Sequence, residues 1–204
     1  MVEKIVSDLI SSNVFVVSDG DFCFIVDAAA KVDDVKKKVA GRKVEAILLT
    51  HGHYDHCARV EDYVKAFGAK VFASKEIEDY MKNGEYNYSE GKFLLSDFSN
   101  FEYFVEDDGI LKLPHFEIKF KQLGGHSKSD MMYDFNGDLF VGDVLIGRDM
   151  GRTDLYGGSR EEMSKSLSVL GGYDYQIMHS GHGEDFDKKT QDKVASLWLR
   201  YLNR

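Results

Sequence analysis

A chain of 204 residues, 43% of them hydrophobic, is long enough to bury one sizeable core and too apolar for a disordered chain, so a single domain over residues 1–204 is expected. A formal net charge of −9 and a pI near 5.2 disfavour a phosphate backbone as partner, so no nucleic acid is expected. No apolar stretch approaches the roughly 18 residues that span a bilayer, and the opening Met1-Val2-Glu3-Lys4-Ile5-Val6 lacks a secretory pattern, which leaves a cytoplasmic protein without a membrane role as the expectation.

Two β-rich runs, 14–17 and 22–26, flank Ser18-Asp19-Gly20-Asp21 and predict a hairpin. Cys23 lies inside the second run; it and Cys57 read as thiols rather than as a disulfide, Cys23 as a buried one. Val32, Val35 and Val39 recur at helical spacing and predict a helix over 32–39. Residues 44–49 read as a buried strand, 59–67 as an amphipathic helix stopped by Gly68, and 70–73 as another strand. The segment 80–104 is rich in Tyr, Phe, Asn and Ser without a clean period and reads as an irregular insertion, a wall for the site or a subdomain packed on itself.

Strands are predicted again over 116–123, 131–135 and 139–141, the last two joined by an Asn136-Gly137-Asp138 turn. Ser159-Arg160-Glu161-Glu162 has the pattern of a capping box and opens a helix that runs to 170. A strand over 175–178 and a closing helix over 188–202 complete the chain. Hairpins mixed with βα units do not fit a purely parallel sheet; two mixed sheets with helices outside fit better.

The histidines are where chemistry concentrates. His51, His53 and His56 fall within six residues together with Asp55, directly after the strand that ends at Thr50. A strand end opening into a loop is a common place for a site in α/β folds. Residues two apart in an extended loop point the same way, so His51 and His53 can converge on one ion, while Asp55 and His56 lie past the bend and can face a second. Downstream, His126, Asp143 and His182 each follow a strand with a glycine immediately before them. Together these make five histidines and two aspartates, enough for two ions. His115 reads as ordinary, and His179, two residues before Gly181, is a weaker candidate for a place behind the ligands.

His51-Gly52-His53-Tyr54-Asp55-His56 resembles the signature of the metallo-β-lactamase superfamily. Gly125-His126-Ser127, Gly142-Asp143 and Gly181-His182-Gly183 resemble its later motifs, in the same order, and Gly151-Arg152-Thr153-Asp154-Leu155 resembles the branch with glyoxalase II-like thioesterases and persulfide dioxygenases. The resemblance implies an α/β fold, a four-layer αββα sandwich of two mixed sheets flanked by helices, with the site along one edge. It implies a first metal held by His51, His53 and His126, a second by Asp55, His56 and His182, and Asp143 bridging both. Ligands of this kind suit two divalent ions, zinc first and iron or manganese next. The implied enzyme is a binuclear metallohydrolase of a small-molecule thioester, of the hydroxyacyl-thiol type, using a metal-bridging hydroxide with Asp55 as the catalytic proton carrier.

A mononuclear iron persulfide dioxygenase using His51, His126 and Asp143 is the runner-up; a phosphodiesterase or nuclease and a non-catalytic metal-binding protein stand behind it. Arg152 and Asp154 are expected to pair and hold the loop after Asp143, and Arg148 is a candidate contact for an anionic substrate. Leu123-Gly124-Gly125-His126-Ser127 lacks the proline that the family often has before this histidine. Full glyoxalase II carries a C-terminal helical region that binds glutathione; the sequence stops soon after His182, so glutathione is not the expected handle.

Overall fold

The computed structural model describes residues 1–203, and in it the apolar runs become strands covered on both faces. β1 (Val2–Val6), β2 (Asn13–Asp19) and β3 (Phe22–Val26) form an antiparallel meander, with the expected hairpin between the last two. α1 (Val32–Val39) buries Val35 and Val39, and β4 (Lys43–Leu48) returns parallel to β3. The one-turn α2 (Tyr54–Cys57) and α3 (Val60–Phe67) follow; α3 ends where Gly68 takes up the left-handed φ of 66° that a C-terminal cap requires. β5 (Lys70–Ala73), α4 (Ile77–Met81) and β6 (Phe101–Tyr103) complete a six-stranded mixed sheet in the order β1-β2-β3-β4-β5-β6.

The second half builds a similar sheet. β7 (Asp108–Lys112), β8 (Glu117–Gln122), β9 (Met131–Phe135) and β10 (Asp138–Phe140) form an antiparallel ladder. β11 (Leu145–Ile146) and β12 (Asp149–Met150) make a small separate hairpin. After α5 (Arg160–Gly172), β13 (Ile177–His179) joins parallel to β10, then β14 (Phe186–Asp187) pairs with it and leads into α6 (Lys188–Leu202). The order is β14-β13-β10-β9-β8-β7.

Side-chain alternation explains the layering. Val14, Val16, Cys23, Ile25, Ile47 and Val71 pack with Val35, Val39, Val60 and Tyr63 of α1 and α3. Their neighbours Phe15, Val17, Phe24, Val26, Ala46 and Leu48 pack instead with Phe116, Ile118, Met131, Tyr133 and Phe140 from the second sheet. The far face of that sheet, with Met132, Leu139 and Met178, lies under Met163, Leu167, Leu170, Val194 and Ala195 of α5 and α6. The result is the four-layer αββα arrangement. Phe15 meets Phe140 at 5.3 Å and Phe24 meets Phe116 at 5.1 Å, both edge to face, which pins one sheet on the other. A one-residue slip would exchange the two faces of a strand, so this packing also holds register.

Several elements were not legible in sequence. β1 and β7 are edge strands whose charged residues hide the alternation. The 80–104 segment is less irregular than expected at its ends, since Tyr80 and Met81 close α4 and Phe101–Tyr103 is the last strand of the first sheet. β10 and β13 are displaced by one or two residues from the expected 139–141 and 175–178 because pairing, not hydrophobicity, sets their limits. At the start of α5, Ser159 Oγ accepts from Glu162 N at 3.2 Å, as a capping box requires. The reciprocal bond is replaced: Ser159 N donates to Gly125 O at 3.0 Å, tying the helix to the loop that carries His126.

Candidate metal centre

β8, β10 and β13 run in one direction and finish at the same edge, and Met131 N donates to Thr50 O at 2.8 Å to bring the end of β4 beside them. This one edge therefore receives His51 and His53 after β4, His126 after β8, Asp143 after β10 and His182 after β13. Asp55 and His56 arrive on α2, whose single turn sets them on adjacent positions facing the same centre.

The donors form three overlapping groups, His51–His53–His126, His51–His56–Asp143 and Asp55–His56–His182, with ligand atoms within 4.8 Å of one another in each. His126 Nε2 lies 2.9 Å from His53 Nδ1, and His56 Nε2 lies 3.2 Å from His182 Nε2. Asp143 reaches both sides: Oδ2 is 3.6 Å from His126 Nε2 and Oδ1 is 3.5 Å from His56 Nε2. Asp55 Oδ2 is 3.2 Å from His182 Nε2. His51 Nε2, His53 Nε2 and Asp143 Oδ1 are buried and have no hydrogen-bond partner. Buried polar atoms without partners are rare and costly. Imidazole nitrogens and carboxylate oxygens gathered within 4.8 Å of one another are a donor set that a divalent cation satisfies. The residues fit a metal site.

The bonds behind these side chains aim them. Asp27, buried at the end of β3 with φ 63°, accepts from Thr50 N at 2.8 Å and from His56 Nδ1 at 2.8 Å. Thr50 Oγ1 donates to Asp27 and lies 3.1 Å from His51 Nδ1, so it can accept from that ring. His126 Nδ1 donates to Arg152 O at 3.0 Å. In each case a bond at the outer nitrogen orients the ring so that Nε2 is the atom turned to the centre, free to bind a cation once any proton on it has left. Asp130, also buried, accepts from His126 N at 3.0 Å and Ser127 N at 2.9 Å, and so shapes the loop that elsewhere in the family a proline stiffens. Asp27 and Asp130 were missed in sequence. The only signal was a carboxylate directly following an apolar strand or sitting four residues beyond a ligand.

The chain's own charges split the histidines into two kinds. Burial, with His126 nearby, pushes His53 down to about 3 and lowers His51 well below its ordinary value. Burial also opposes charge on His56 and His182, but the carboxylates around them prevail. Asp143, Asp27 and Asp55 raise His56 to about 9, and Asp143 and Asp55 raise His182 to about 10. Asp143, against its burial, is held well below the usual carboxylate range by His56 and His182.

Above the centre opens a cleft of about 410 Å³ lined by His53, Asp55, His126, Asp143 and His182 on its floor and by Ile10, Tyr54, Tyr88, Ile146, Arg152 and Leu155 on its walls. The aromatic segment does both things expected of it as alternatives. It packs on itself, with Asn87 Nδ2 donating to Phe93 O at 3.1 Å, and it sets the Tyr88 ring 5.2 Å from His53. Arg152 and Asp154 pair as expected, at 2.9 and 2.7 Å. Arg148 is turned elsewhere, its guanidinium over Phe186 at 5.9 Å. His179 is buried but bonds Asp138 at 2.8 Å, and His115 pairs with Glu45 at 2.6 Å; neither joins the cluster. Cys23 and Cys57 are free and buried.

A four-layer sandwich with such a cluster at one sheet edge defines a class, and comparison with known proteins agrees. The model of the metallo-β-lactamase superfamily matches residues 7–182, so the chain belongs to that superfamily. A Bacillus subtilis protein described as a probable metallo-hydrolase, YqgX, is 27% identical over 192 residues, covering 89% of this chain and 90% of that one. The Haemophilus influenzae hydroxyacylglutathione hydrolase GloC is 29% identical over 163 residues, 76% of each chain. A Shewanella pealeana hydroxyacylglutathione hydrolase is 28% identical over 79% of this chain but only 52% of its own length. Among solved structures, the B3 metallo-β-lactamase BLEG-1 superposes with a TM-score of 0.85 at 24% identity, covering 95% of this chain and 97% of that one. ETHE1 from Myxococcus xanthus superposes with a TM-score of 0.75 at 17% identity, covering 100% and 90%. At these identities the structures establish the fold. Among the described residues, no helix is long and apolar enough to cross a membrane.

Proposed function

We propose that the chain is a single-domain, cytoplasmic binuclear metallohydrolase that cleaves small-molecule thioesters of the hydroxyacyl-thiol type. The observation that carries this reading is the set of three overlapping donor groups, with unpartnered atoms at His51, His53 and Asp143. His51, His53 and His126 would hold one ion, Asp55, His56 and His182 the other, and Asp143 would touch both. With two divalent ions bound there, zinc first and iron or manganese next, the site would gain an activated water as nucleophile and a Lewis acid for the carbonyl. The chain does the rest. Asp27 and Arg152 O hold His56 and His126 in one tautomer. Asp55, on the cleft floor, takes and returns the proton. A thiolate leaving group needs little protonation, which suits a cleft without a second obvious acid. The hydroxyacylglutathione hydrolases among the relatives support thioester chemistry.

The test is metal analysis followed by a thioester screen on protein loaded with each metal. Two equivalents of metal per chain and thioester turnover are expected, and Asp143→Ala should lower both together. One equivalent of iron with oxygen uptake on a persulfide would instead favour the dioxygenase reading through His51, His126 and Asp143. Two metals with full turnover in Asp143→Ala would overturn the ligand assignment.

A further inference from the structure

The walls of the cleft say what kind of thiol or acyl arm lies above the centre. Ile10 projects from the β1–β2 loop with 63% of its surface exposed and a left-handed φ of 51°. A β-branched residue rarely takes that backbone, and water is a poor environment for its side chain. The loop is nonetheless firmly placed. Ser7 N donates to Ser12 O at 2.8 Å, Ser12 Oγ donates to Asp55 O, and Ser12 bridges to His182. The loop that carries Ile10 is thus tied through Ser12 to the chain at Asp55 and at His182. Tyr88, which lines the same cleft, also carries a positive φ, 62°, is 40% exposed, and is held by Tyr156 N donating to its hydroxyl at 2.6 Å. Ile146 and Leu155 extend the apolar wall.

Charge points the same way. Among the described residues lining the cleft, the one Arg or Lys is Arg152, and Asp154 occupies its guanidinium with two bonds. Glutathione carries two carboxylates. The cleft offers them no unpaired guanidinium or ammonium.

Building on the thioester reading above, we infer that the substrate's non-reacting arm is uncharged and apolar, an acyl or thiol chain packed between Ile10, Tyr88, Ile146 and Leu155, and that a glutathione arm is not recognised.

Binding of non-hydrolysable thioethers to the metal-loaded protein tests this independently of turnover, so that failure of the thioester reading and failure of this one stay distinct. S-alkyl-N-acetylcysteamines from methyl to hexyl are titrated calorimetrically beside S-hexylglutathione. Affinity should rise by up to about fourfold per methylene buried, and the glutathione thioether should bind no better than its neutral counterpart. Ile10→Asp, a residue better suited to that backbone than isoleucine, should flatten the chain-length series without unfolding the protein. Asp154→Asn, which frees Arg152, should favour S-hexylglutathione selectively. A flat series in the unaltered protein, or tighter binding of S-hexylglutathione there, overturns the inference.

Discussion

In the proposed site, Asp55 is the residue at which holding metal and doing chemistry can be told apart. Its carboxylate faces His182 at 3.2 Å and His56 at 3.7 Å, and it lines the open cleft, so it is placed to act on both a cation and a substrate proton. Asp55→Asn keeps the shape and one oxygen donor but loses the charge and the proton acceptor. Turnover should fall by about 100- to 10,000-fold, mainly in kcat, while metal analysis still finds at least one equivalent. Wild-type turnover in this variant with its metals in place would remove Asp55 from the mechanism. The reason for its prominence was visible in sequence, since three histidines and an aspartate in six residues have few other uses. What aims them was not visible. Asp27 lies 23 residues before Thr50 and 29 before His56, and only the parallel pairing of β3 with β4 brings it under both.

At the level of elements, the helix start and the ligand loop are one unit. Gly125 takes a φ of 114°, and a Cβ there would sit against the backbone and Cβ of Met163 in the first turns of α5. Ser159 N at the cap bonds to Gly125 O. Replacing Gly125 with Ala therefore both strains the backbone and forces α5 away from the loop holding His126. Overpacking of this kind costs about 1–3 kcal/mol, and each kcal/mol lowers Tm by roughly 2–4 °C in a chain of this size. Thermal melting should show that loss and metal analysis should show a weakened site. An unchanged melting temperature would mean that the loop and helix are not coupled. The cap pattern was readable in Ser159 and Glu162; its second partner was not, because a backbone carbonyl leaves no mark in sequence.

For the whole molecule, a metal bound as proposed would compete with protons for the same edge. His56 and His182 are raised to about 9 and about 10, so at pH 8 a cation must displace protons from them. Metal uptake should release protons, measurable by titration calorimetry in buffers of different ionisation enthalpy. The sign for stability follows from the raised values. In chelated protein the two groups contribute stability that is fully present below their unfolded pKa, near 6.5, and is lost as pH rises through about 9 to 10. His51 and His53 act oppositely and weaken the fold as pH falls below about 6.5, the ordinary histidine value. Chelated protein should thus melt lower at pH 10 than at pH 7, and added metal should restore more at the higher pH, since fewer protons then compete for His56 and His182. A melting temperature indifferent to chelator at both pH values would count against any resident metal.

Sequence by itself determined the two mixed sheets, most strand and helix positions, and the His/Asp cluster, because hydrophobic alternation, turn residues and ligand spacing are local. It also carried the family, through motifs that recur in a set order. Tertiary structure decided the rest. It paired the polar edge strands β1 and β7, whose exposed faces carry no alternation to read. It put Arg148 on Phe186 and brought Arg152, with the partner Asp154 that the sequence already suggested, to the wall of the cleft. It brought Ile10 and Tyr88 to the lining of one cleft although 78 residues separate them in the chain. Those outcomes depend on which strand ends meet, and that is fixed by packing two sheets face to face rather than by any single stretch of residues.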